Sequence, residues 1–154
     1  MTVLIKKGKR IVRAQQEFAR AVLLEADGTP STNRRVNRAR GITRWRFVFD
    51  NQTPNSQYAS VFLTYARRHF GEVVGNPDPW LEDARIPKAP KMTLQRAVRK
   101  LRAAGYRRGF RNVTLRQPIY PGVNEPFYIF GFGRKAKNPF VAVGTKTGKV
   151  KPIS

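Results

Sequence analysis

Two sets of cations hold most of the chemistry that this chain offers. Arg34, Arg35, Arg38 and Arg40 fall within seven residues, and Arg96, Arg99 and Lys100 recur at the spacing of one helix face. Arg44 and Arg46, then Arg107, Arg108 and Arg111, and finally Arg134, Lys135 and Lys137 add to them. Guanidinium and ammonium groups at this density can neutralise phosphates and release the counterions condensed on a nucleic acid. Residues 29–43 read as an arginine-rich loop or arm that orders on a phosphate backbone, because Val36 and Ile42 are their only aliphatic side chains larger than Ala. A helix face that only had to be polar would mix signs, and Arg96, Arg99 and Lys100 do not.

The residues of catalysis are sparse. His69 is the single histidine and lies between Arg68 and Phe70, so no paired-histidine metal spacing exists. Glu82 and Asp83 are adjacent and point apart on an extended segment; Asp50 and Glu72 would meet across a hairpin but are better read as partners of local arginines. Gly144-Thr145-Lys146-Thr147-Gly148-Lys149 has three residues between its glycines, Val150 after its last lysine and no room for a following helix, so it fails the phosphate-loop pattern. Gly131-Phe132-Gly133 is a lone G-x-G. The expectation is a protein that is not an enzyme, with no catalytic residue, metal, cofactor or small-molecule substrate implied.

Composition points the same way. The 154 residues carry thirty-one Lys and Arg against nine Asp and Glu, a formal charge of +22. From residue 91 onward the only carboxylate is Glu125. Such a chain repels itself and attracts polyanions, so the expected partner is nucleic acid, DNA or RNA. The alternative is an acidic protein covered by the basic face. With 40% apolar residues and ten Phe, the chain can bury a core as a single domain, 1–154. There are no cysteines, hence no disulfides. No apolar run approaches the roughly 20 residues of a membrane span, and Arg13, Gln15, Gln16 and Glu17 interrupt any signal-type core near the start. A cytoplasmic protein is expected.

The elements that must position the cations follow from periodicity. Leu94, Ala97, Val98 and Leu101 make the apolar stripe of a helix over 93–104, with Thr93 as its N-cap and Gly105 as its left-handed stop. A second helix is expected over 11–27 with Ile11, Phe18, Val22 and Leu23 near one face, preceded by an edge strand or loose basic arm at 1–10. Alternation predicts strands at 44–50, 58–66, 113–119, 127–132 and 140–150, and Glu72 to Gly75 as a continuation of the first hairpin. Pro77, Pro79, Pro87 and Pro90 mark 76–91 as an ordered connector between halves 11–75 and 92–154. Together these predict an α+β fold: a curved antiparallel sheet packed against two main helices, with a helix-plus-hairpin pattern repeated. Trp45, Phe47, Leu115 and Ile129 should face Leu94, Val98 and Leu101, leaving Tyr128 and Phe132 as candidates for stacking on bases.

The second half also resembles a known kind of module. Ala104-Gly105-Tyr106, the stretch Pro118 to Pro121, Tyr128-Ile129-Phe130, and Val143 with Thr145, Thr147, Gly148 and Val150 are similar to the PepSY-like and cystatin-like α+β units. The likeness covers about 92–154 and, more loosely, 42–75. It implies a non-enzymatic interaction module of the inhibitor or immunity type, although the charge is far more basic than such a module needs.

Overall fold

Ile5, Gly8 and Val12 lie three and four positions apart and are the buried residues of α1, Thr2–Arg13. The computed structural model that shows this describes residues 1–153. The first ten residues are therefore neither an edge strand nor an arm, and the helix expected over 11–27 does not form. A 3₁₀ turn at Gln16–Phe18 leads instead into strand β1, Val22–Thr29. The local sequence explains the change. Ala26 and Gly28 face the helices and Glu25 and Asp27 face away, an alternation that a helix would wind around its axis. Gly28 lies so close beneath Ile42 and Trp45 that a Cβ would come within 2.5 Å of Ile42.

The remaining strands are β2 (Arg44–Asp50), β3 (Ser60–Ala66) and β4 (His69–Asn76). The other helix, α2, spans Leu94–Ala103. It is followed by β5 (Asn112–Arg116), β6 (Phe127–Gly131), β7 (Phe140–Gly144) and β8 (Val150–Ile153). Thr93 caps α2 by accepting a hydrogen bond from the Arg96 N–H at 3.2 Å. Gly105, with φ of +96°, reverses the chain behind it in a region closed to most side chains. All eight strands join one open antiparallel sheet in the order β4-β3-β2-β1-β5-β6-β7-β8. A helix followed by four strands thus occurs twice, and the two sets meet at the β1–β5 pair.

One side of the sheet carries the core. Trp45, Phe47, Phe49, Val61 and Leu63 of the first half, and Val113, Leu115, Phe130, Val141 and Val143 of the second, are buried in one cluster with Ile5, Val12, Leu94, Val98 and Leu101. Each such side chain contributes roughly 1.5–3 kcal/mol by leaving water. The facing of β6 departs from expectation. Leu115 pairs with Tyr128 and Thr114 with Ile129, and cross-strand partners share a face. Tyr128 therefore points into the core and Ile129 away from it. Tyr128 is 0% and Phe132 3% exposed, so neither is a stacking platform. The Tyr128 hydroxyl donates to the Met92 carbonyl at 2.9 Å, and burial raises its pKa above that of an ordinary phenol.

The back of the sheet is polar near its middle. Residues 77–91 cross it: Trp80 lies edge-on to Phe62, and Ala84 and Ile86 donate backbone hydrogen bonds to Gln117 and Leu23, where β1 and β5 part. The segment then reaches the helix side, where Thr2 donates to Pro90.

Candidate nucleic-acid interface

The arginine-rich loop between β1 and β2 is docked against the body. Val36 and Phe110 exchange backbone hydrogen bonds at 2.9 and 3.0 Å. Arg35 Nη1 donates to the Gly109 carbonyl at 2.9 Å. Gly109 permits this approach, since a Cβ there would meet the Arg35 Cβ at 2.9 Å. Arg102, near the end of α2, holds both loops. Its guanidinium donates to the carbonyls of Tyr106 and Arg108, each at 2.7 Å, and to that of Asn37 at 3.0 Å, and its Cζ lies over the Phe110 ring, 5.6 Å from the centroid. Sequence reasoning passed over Arg102; the available signal was a last-turn arginine followed by a glycine-rich, arginine-rich exit.

This docking brings cations from both halves together. Arg35 Nη2 and Arg111 Nε each come within 3.4 Å of the point where a Cβ of Gly133 would stand. Partial burial, and then repulsion from Arg108 and Arg111, lower the Arg35 pKa from its ordinary value. Arg34, Arg107, Arg108, Arg111, Arg134, Lys135 and Lys137 are exposed on these loops. Along α2, Arg96, Arg99 and Lys100 form an exposed cationic stripe, with Lys100 beside Gly148. Arg38, Arg40 and Arg99, with Gln95, rim a cleft of about 470 Å³ floored by Ala39 and Val98. At the far end, Arg44 donates to the Ser31 carbonyl and shares a second cleft with Arg67 and Arg68. Helix α1 adds Lys6, Lys7, Arg10 and Arg13.

The carboxylates lie elsewhere. Among the described residues every ion pair uses Arg46, Arg85 or Arg116. Arg46 bonds Glu25 and Asp27 on the back of the sheet and so does not belong with the free cations as expected. Arg85 holds Asp50 at 2.6 Å, and Arg116 holds Asp83 at 2.6 Å. Asp83 also accepts from the Trp80 indole. Four carboxyls, those of Glu25, Asp27, Glu82 and Asp83, thus share two guanidiniums. Burial, and then the two neighbouring carboxylates, push the Glu25 pKa up to about 9 despite its contact with Arg46, and it keeps its proton at neutral pH. Asp27 is held below its ordinary value, against its burial, by hydrogen bonds from Glu25, Thr114 and Arg46.

The Gly144–Lys149 turn does bind an anion, but an internal one. Glu125 accepts from the Lys146 and Thr147 N–H groups at 2.6 and 2.9 Å and from the Thr147 hydroxyl at 2.6 Å. These bonds hold its pKa low against the opposing effect of burial. No group of His, Asp and Glu side chains among the described residues is placed to hold a metal ion. No helix among them is long and apolar enough to cross a membrane. Comparison of the chain with family models, with characterised proteins and with solved structures returned no match.

Proposed function

We propose that this is a non-enzymatic nucleic-acid-binding protein that grips phosphates with its helix side. The observation that carries the reading is the convergence of Arg35 and Arg111 beside Gly133, with Arg108 near, while the ion-paired carboxylates lie with Arg46, Arg85 and Arg116. Like charges brought together by backbone hydrogen bonds leave a strong local field, and an anion with several acceptor oxygens relieves it. A phosphodiester backbone supplies such anions in series, matching cations that extend from the loops along α2.

The test is a titration of random-sequence DNA and RNA, single- and double-stranded, over a range of salt. The logarithm of the association constant should fall linearly with the logarithm of salt, by about 0.7–0.9 per phosphate neutralised. Absence of binding to all four at low salt would contradict the proposal. A shallow slope with the loss concentrated in one or two arginines would assign the face to an acidic protein instead.

A further inference from the structure

The two halves differ on the back of the sheet. In the first, Trp80 stands against Phe62, and Val48, their neighbour in the ladder, is fully buried. In the second, the back-facing Phe127 and Ile129 stay half-buried. Tyr120 beside them is 72% exposed, Ile119 61% and Phe140 46%. Phe127, Ile129, Tyr120 and Ile153 line a groove of about 570 Å³, the charged members of whose lining are Arg116 and Lys151. Contiguous apolar exposure of this kind marks a docking surface.

We infer that this groove takes an extended segment of another protein that carries an aromatic residue and a carboxylate. The neighbouring part of the sheet's back shows what it accepts, for there the proline-containing segment 77–91 sets Trp80 on Phe62 of β3 and the Asp83 carboxylate on Arg116 of β5. Charge complementarity selects the same chemistry. Lys151 lies 5.0 Å from the Phe127 ring and has no ion pair among the described residues, and no carboxylate lines the groove. A second copy fits poorly, because it brings a charge of +22 and, with five carboxylates ion-paired and Glu125 held in its turn, offers only Glu17, Glu72 and Asp78. Of the two rings in the lining, Phe127 is half-buried with Lys151 over its face, which leaves Tyr120 as the one ring open for a base to stack on.

The experiment is a selection of random peptides on the wild-type protein, with the recovered sequences synthesised and titrated by fluorescence anisotropy. Three variants stand beside it: Tyr120→Ser with Phe140→Ser, Lys151→Glu, and Arg96→Gln with Arg99→Gln and Lys100→Gln. The altered side chains are exposed, so thermal midpoints should be unchanged. Selected peptides should combine an aromatic residue with Asp or Glu. They should bind the first two variants about tenfold or more weakly and the third as well as wild type. Three results would overturn the inference: no enrichment, peptides that depend on Arg96, Arg99 and Lys100 instead of the groove, or self-association of the wild type that the Tyr120 and Phe140 changes abolish. None of these depends on whether the helix side binds nucleic acid.

Discussion

On the back of the sheet, Arg46, Arg85 and Arg116 each meet a carboxylate, and Glu25 is held protonated where carboxyls outnumber guanidiniums. On the helix side, Arg35, Arg108 and Arg111 converge, and among the described residues their only hydrogen-bonded acceptor is the Gly109 carbonyl taken by Arg35. The first arrangement locks a connector to the sheet; the second is held by backbone hydrogen bonds and by Arg102, leaving its charge free. Net charge alone would not separate these roles. Placement does, and it gives the molecule a polarised surface.

The comparison can be broken most forcefully at Asp83. Asp83→Ala leaves the Trp80 indole without its acceptor and Arg116 with only the longer Glu82 contact at 3.8 Å, and loss of such a partner costs about 1–3 kcal/mol. Chemical denaturation should show that loss, while nucleic-acid binding by the remaining folded protein stays unchanged. A parallel loss of binding would show that the two faces are not independent.

An effect spread over pH follows from Glu25. Its pKa is raised from 4.5 to about 9 on folding, so between those values the folded state holds a proton that the unfolded state has lost. Stability should therefore fall as pH rises through that window, by up to about 1.4 kcal/mol per pH unit. Asp27 acts with the opposite sign, its contribution being lost as pH falls below its ordinary value of 3.8. Glu25→Gln should flatten the decline; an unchanged slope would move the retained proton elsewhere in the cluster.

The smallest effect sharpens the helix side. A Cβ at Gly8 would sit 3.4 Å from Leu63 and 3.5 Å from Phe70, ordinary contact distances. Gly8→Ala should stabilise the protein by about 0.5–1 kcal/mol through helix propensity. Destabilisation on thermal unfolding would show that α1 has no room to accept it.

Much of this was legible in the chain. The stripe of α2, its Thr93 cap and its Gly105 stop are local signals, and Trp45, Phe47 and Phe49 alternate plainly. The first helix was not legible, because its buried stripe runs through Gly8, which carries no hydrophobic signal. The strand at 22–29 hid for a related reason, since Ala26 and Gly28 are the residues it turns to the core. In β6 aromatics occupy both alternations, and only pairing with Leu115 decides that Tyr128 goes inward. The cations were legible as types but not as places. Long-range ion pairs removed Arg46 from the set, and the Val36–Phe110 contact gathered the loop arginines.

The most direct measurement of the polarised surface is a pair of salt titrations by fluorescence anisotropy on a single-stranded oligonucleotide. One variant carries Arg108→Gln and Arg111→Gln with Arg96→Gln and Arg99→Gln; the other carries Lys151→Gln, on the back of the sheet. Each cation that leaves a phosphate contact should reduce the slope by about 0.7. The first variant should therefore lose affinity and slope together, and the second should overlay the wild type. Equal losses per cation removed would mean that affinity follows total charge alone, and the polarised account would be wrong.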